Sequence, residues 1–295
     1  MVRVSPRRPV PLVAVSIVVA AVSVVGVWVL WRVFVGTWAG QSVDQAVIEG
    51  ATYGQNQLWR VAEKVLDVVS VGLIAVVLLA AVVIAVVRHR WELAVQAAIV
   101  MIGANLTTRV LKEYVFERPE LGVPGGYGNT LPSGHTTAAA SISVVLMLVV
   151  SPRVRPWAAV LGAAYTTATG VSTLIGRWHR PSDVVAAVLV VLAWTAATCA
   201  FAVLVPRWGL PGDRGAVPRA TRVALASLVA VGLVAGAVAG VTLSATWSRL
   251  PDVSGRDDLL TAYLGGAAGT ASAACLAFAV MLALRHAAAS GLPRG

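Results

Sequence analysis

Charged residues are scarce in this sequence. Asp, Glu, Lys and Arg make up 12% of its 295 residues, about half the 25% of a soluble globular chain. A water-facing surface of this size cannot be built from so few, and intrinsic disorder is excluded with it. Cysteine is almost absent. Cys199 and Cys275 both lie inside apolar stretches, which excludes a disulfide framework and a cysteine zinc site and leaves packing as their role. Acidic residues number only 13 against 23 basic ones, for a formal net charge of +10. In a soluble chain that excess would point to nucleic acid. Here the arginines fall in short gaps between apolar runs, where topology determinants sit, and nucleic acid is not expected as a partner.

What the sequence does have is apolar length: 58% hydrophobic residues and a mean hydropathy of +0.82. A helix needs about 20 apolar residues to cross the hydrocarbon core. Eight runs qualify, near 10–33, 65–87, 93–110, 135–151, 157–175, 183–205, 222–246 and 259–284. The expected fold class is therefore all-α, a polytopic membrane bundle of about eight helices. The first run follows Arg3, Arg7 and Arg8 but is longer than a signal-peptide core and lacks a small-residue cleavage site, so it is expected to stay as the first helix.

Eight crossings place both termini on one side. With that side cytoplasmic, inner segments hold thirteen of the 23 basic residues and outer segments nine. The bias sharpens once the outer cations with a chemical reason to be there are set aside, so both termini are expected in the cytoplasm. Pro206–Arg219, rich in proline, glycine and arginine, divides a six-helix unit (1–206) from a loop and a two-helix tail (207–295). Gly232, Gly236 and Gly240, and then Gly265 and Gly269, recur at four-residue spacing, which suits close packing between the last two helices. The segment 36–64 mixes aromatic, amide and acidic residues, and its Trp38 and Trp59 suit the interfacial aromatic belt.

Polar residues concentrate in two outer loops, 111–137 and 172–183, which together bring Lys112, Arg118, Ser133, His135, Arg177, His179, Arg180 and Asp183 to one membrane face. Pro132-Ser133-Gly134-His135 stands directly before an apolar helix. The unpaired N–H groups and positive potential of a helix start suit a phosphate; Ser133 adds a hydroxyl and Gly134 allows close backbone approach. Lys112 and Arg118 supply cations for phosphoryl oxygens. His179 and Asp183 are four residues apart at another helix start, with Pro181 fitted to its first turn. An aspartate so placed fixes the imidazole tautomer and makes the opposite ring nitrogen the better nucleophile. Two histidines with a cationic cradle describe metal-free phosphoryl transfer, one attacking phosphorus and the other protonating the leaving oxygen. The nearby Glu113, Glu117 and Glu120 lack a ligand spacing with the histidines, so neither metal nor cofactor is expected. Arg180 is read as a contact for lipid headgroups or solvent, Arg109 as interfacial, and Asn105, Thr107 and Thr108 as helix–helix hydrogen-bonding residues.

These loops resemble the three-part signature of the type 2 phosphatidic acid phosphatase (PAP2) superfamily: a lysine before Arg-Pro, then Pro-Ser-Gly-His, then Ser-Arg, a histidine and an aspartate. The resemblance covers about 65–205, with its signature in 109–185. It implies His179 as nucleophile, Asp183 as its partner, His135 as general acid, and Lys112, Arg118, Ser133 and Gly134 as phosphate-binding residues. It further implies a lipid phosphate or polyprenyl diphosphate as substrate, phosphatidic acid and undecaprenyl diphosphate leading, hydrolysed at the extracytoplasmic face. Two departures stand out. Lys112 and Arg118 are separated by five residues where the family has six, and the family arginine falls on Thr173. Arg177, four residues on, is the expected substitute. Thr173 also supports an alternative, a non-catalytic protein that binds or transports a phosphorylated lipid, and a phosphotransferase could use the same site.

Overall fold

The computed structural model describes residues 10–68, 91–125, 128–204 and 217–290, with five positions between 76 and 87. Eight α-helices have their bounds there: α1 (Val10–Leu30), α2 (Trp38–Val68), α3 (Trp91–Val110), α4 (Gly134–Val149), α5 (Arg155–Ile175), α6 (Pro181–Leu204), α7 (Arg219–Ser248) and α8 (Arg256–Ser290). No strand occurs among the described residues. α1 and α3 each run on into a π-helical turn, Trp31–Val35 and Leu111–Val115. These are closed by bonds from Gly36 N–H to the Trp31 carbonyl (2.9 Å) and from Phe116 N–H to the Leu111 carbonyl (2.8 Å).

Among the described residues, six stretches are long and apolar enough to cross a membrane: Pro11–Val35, Trp91–Val115, Arg155–Ile175, Pro181–Leu204, Arg219–Ser248 and Arg256–Ala288. α4 is apolar but shorter, at 16 residues. The architecture is thus a polytopic membrane helix bundle. Most of the expected span at 65–87, and most of the loop 206–219, lie outside the described residues. The outer faces carry large apolar side chains such as Val18, Val22, Leu161 and Val234, each at least 59% exposed. Such a surface is stable only against lipid.

The segment 36–64 is helical from Trp38 on. α2 places Gln41, Asp44, Gln45 and Ile48 at helical spacing on one face, all buried. That face turns inward although it is polar, because it meets the loops of the site. α8 runs through the middle of the bundle and packs against α2, α5 and α6 as well as α7. Its Phe278, Met281 and Leu282 share one core with Val144, Met147 and Leu148 of α4 and Ala159 and Ala163 of α5. Close approach there requires glycine. A Cβ at Gly162 would stand 2.7 Å from the Phe278 ring, and one at Gly266 would stand 2.7 Å from Pro181 Cγ at the start of α6. α7 meets α8 through Gly232, Gly236, Gly265 and Gly269, while Gly240 of the expected set faces open space; the Ser272 hydroxyl donates to the Gly232 carbonyl at 2.8 Å.

Interhelical hydrogen bonds stitch the bundle where its polar residues predicted them. Asn105 Nδ2 donates to Ser141 Oγ (3.1 Å), the Thr108 and Thr137 hydroxyls lie 2.9 Å apart, and Trp194 Nε1 donates to Thr107 Oγ1 (3.1 Å). Cys199 and Cys275 are buried free thiols.

Candidate active site

The end of α3, the starts of α4 and α6, the end of α5 and the first turns of α2 come together at one end of the bundle. Ser133 is the N-cap of α4: its hydroxyl accepts from Thr136 N–H at 3.3 Å, and its own N–H donates to the Asp183 carbonyl at 2.9 Å. The second bond ties the two loops together at the chemistry-bearing residues. Gly134 opens the helix, and a Cβ there would meet no atom within 4 Å, so the space before this helix start is open. His135 follows, half-buried.

Lys112 sits half-buried in the π-helical turn after α3, and its carbonyl accepts from Asn129 Nδ2 at 3.2 Å. Arg118 is flanked by two anchored carbonyls. Trp31 Nε1 donates to Glu117 O and Gln41 Nε2 to Pro119 O, both at 3.0 Å. Trp31 also stacks on Phe116, with ring centroids 5.0 Å apart. Helices α1 and α2 therefore fix the loop on which Arg118 is carried. Burial pushes the Arg118 guanidinium below its ordinary value, and the neighbouring Arg180 adds to the fall.

The second loop is a helix stop with a defined geometry. α5 ends at Ile175. Arg177 takes left-handed backbone (φ 58°) and donates its N–H to Leu174 O (3.0 Å), while Trp178 N–H donates to Thr173 O (3.0 Å). This pair of bonds is the Schellman arrangement. It turns the chain so that His179 and Arg180 point back into the protein, 6% and 4% exposed. Because α5 has already ended, Arg177 shares no helix face with Thr173; its side chain is exposed.

His179 Nδ1 lies 3.2 Å from Asp183 Oδ2, the spacing predicted across the start of α6. The same oxygen accepts from Thr130 Oγ1 (2.6 Å) and from Arg180 N–H (2.9 Å). A carboxylate engaged at Nδ1 leaves Nε2 as the free nitrogen of His179. The His135 and His179 rings stand edge to face, 6.1 Å between centroids. Trp178 lies 5.4 Å from the His135 ring and 5.9 Å from Trp59, so Trp59 packs on the site loop. A cavity of about 540 Å³ opens beside His179, walled by Gly176–Arg180, Thr130, and Gln45 and Ile48 of α2.

Two residues escaped the sequence reading. Arg180, expected at headgroups or solvent, is buried in the site and donates from a terminal nitrogen to Thr130 Oγ1 at 3.0 Å. Asp44 of α2 is 1% exposed and accepts from Ser182 Oγ at 2.5 Å. Burial pushes its carboxyl up to about 7, against that hydrogen bond and with Asp183 adding to the rise. The sequence signal for Asp44 is the helical spacing of Gln41, Asp44, Gln45 and Ile48, a polar face with one apolar neighbour in an otherwise mixed segment. Among the described residues, no group of three or more His, Cys, Asp or Glu side chains converges as metal ligands.

The fold and this end of it define a multi-pass membrane protein with two histidines and a carboxylate beside a cationic pocket. Residues 93–208 match the family model of the PAP2 superfamily. No curated protein and no solved structure matches the chain significantly.

Proposed function

We propose that the protein hydrolyses a lipid phosphate monoester or a polyprenyl diphosphate at the membrane surface. The observation that carries this reading is the free Nε2 of His179, set by the Nδ1 contact with Asp183 (3.2 Å) and faced by His135 across 6.1 Å. In the first step His179 Nε2 bonds to the terminal phosphorus, the bond from that phosphorus to the leaving oxygen (the lipid oxygen of a monoester, the bridging oxygen of a diphosphate) breaks, and His135 gives that oxygen a proton. In the second, His135 takes a proton from water, the water oxygen bonds to phosphorus, and the N–P bond breaks to release phosphate. Lys112, Arg118 and Arg177, with Ser133 and the Gly134 backbone at the start of α4, hold the phosphoryl oxygens. No metal or cofactor has a part in these steps. The lipid chain stays among the apolar helices while the headgroup enters the site, and the basic-residue bias puts that site on the extracytoplasmic side with both termini in the cytoplasm.

The test is phosphate release by the detergent-purified full chain, with EDTA present, from undecaprenyl diphosphate and from phosphatidic acid. Release that His179→Ala abolishes supports the reading, and the faster lipid names the substrate class. Folded protein that releases phosphate from neither lipid contradicts it and favours a binding or transport role.

A further inference from the structure

The cavity beside His179 holds a cation to which neither the motif spacing nor the family pattern gives a role. We propose that Arg180 binds the oxygens of the phosphoryl group that His179 attacks, in place of the arginine missing at position 173. This rests on the phosphate-hydrolysing reading above.

Residue 173 is committed elsewhere. Thr173 is fully buried, its hydroxyl donates to Gly170 O (2.7 Å), and its carbonyl accepts from the N–H groups of Trp178 (3.0 Å) and His179 (3.4 Å). It shapes the turn that carries His179 and offers no charge. Arg180 is built into the same constellation as the nucleophile. Its N–H and His179 Nδ1 meet the same Asp183 oxygen, at 2.9 and 3.2 Å. Its terminal nitrogen donates to the Thr130 hydroxyl, which in turn donates to that oxygen at 2.6 Å. One carboxylate thereby fixes the imidazole and the guanidinium together.

Arg180 is 4% exposed, lines the cavity, and has a buried Nε–H with no acceptor. A buried cation with an unmet donor is stabilised when an anion completes it. The nearby carboxylates do not serve: Asp183 Oδ2 is taken by three donors, and Asp44 is engaged by Ser182. With Lys112, Arg118 and Arg177, the site holds four cations against these two carboxylates, which leaves an excess of positive charge for a phosphoryl group. The planar fork of an arginine matches two of its oxygens, which a lysine cannot do.

The experiment measures inorganic phosphate binding to the full chain in detergent, from the rise of the thermal midpoint with phosphate at constant ionic strength. Wild type is run beside Arg180→Gln, Arg180→Lys and Arg109→Gln, the last removing an equal charge from a side chain that is 71% exposed. The expected result is phosphate affinity weakened about ten-fold or more in Arg180→Gln, less in Arg180→Lys, and within about two-fold of wild type in Arg109→Gln. Wild-type affinity in Arg180→Gln overturns the proposal and leaves the phosphatase reading standing. A wild-type chain that neither binds phosphate nor hydrolyses phosphorylated lipid overturns both. If Arg180→Gln does not fold, Arg180→Lys decides: weakened phosphate binding with a normal midpoint supports the role, and unchanged binding overturns it.

Discussion

The Ser182 hydroxyl donates to the Asp44 carboxylate across 2.5 Å, joining the first turn of α6 to a helix that precedes the stretch matching the PAP2 family model. Ser182 stands beside Asp183, so this bond fixes the turn that presents the carboxylate to His179. α2 is therefore part of the site's frame: Asp44 holds α6, Gln41 holds the loop of Arg118, and Gln45 and Ile48 wall the cavity.

Asp44 makes a pH prediction. Its carboxyl is pushed from 3.8 to about 7 by burial. The folded state holds this proton more tightly than the unfolded chain, so the stabilisation is full below about pH 4 and is lost as pH rises towards 7. Asp44→Asn keeps an acceptor for Ser182 and removes the titration. Relative to wild type, the variant is expected to gain on the order of a few kcal/mol between pH 4 and pH 8. Thermal midpoints of both proteins across that range check this. Parallel pH profiles would show that Asp44 does not titrate as described.

His135 in the role of general acid makes a leaving-group prediction. His135→Ala is expected to lower turnover of an alkyl phosphate by about 10²–10⁴-fold. On an aryl phosphate such as p-nitrophenyl phosphate, whose leaving oxygen needs no proton, the loss in the first step is expected to be much smaller. Burst kinetics separate the two steps, and equal first-step losses on both substrates would remove His135 from this role.

Arg177 occupies the left-handed position that ends α5, where glycine is free of strain. Arg177→Gly is expected to raise stability by about 1 kcal/mol through relief of that strain, while Arg177→Lys, which keeps it, leaves stability unchanged. Chemical or thermal unfolding in detergent measures both. A Gly variant less stable than the Lys variant would mean that the arginine side chain itself stabilises the turn.

The features legible in the sequence were those fixed by local rules. Apolar length marked α3, α5, α6, α7 and α8 as spans; the Ser133 cap and Pro181 marked the starts of α4 and α6; and four-residue spacing brought His179 to Asp183. The three interhelical bonds of Asn105, Thr107 and Thr108 follow from the same logic, since a polar group in an apolar bundle must find a partner. What was not legible depends on the tertiary fold. A loop arginine next to proline reads as solvated, and only the approach of Thr130, fifty residues earlier, shows Arg180 to be buried. Asp44 sits in a segment of mixed polarity, so its burial becomes visible only when the loops and α8 close over α2. Arg177 shares no helix face with Thr173 because the helix stops at Ile175, an end that four-residue spacing alone does not reveal.

If His179 carries the phosphoryl group between the two steps, that group can be trapped on the protein. The full chain is mixed with a lipid phosphate labelled at phosphorus, quenched in alkali within the first turnover, and its label counted on the protein. A phosphoenzyme stable to alkali and labile to acid is expected, present in wild type, retained longer in His135→Ala, and absent in His179→Ala. Rapid phosphate release with no protein-bound label at any time, or label that persists in His179→Ala, would contradict it.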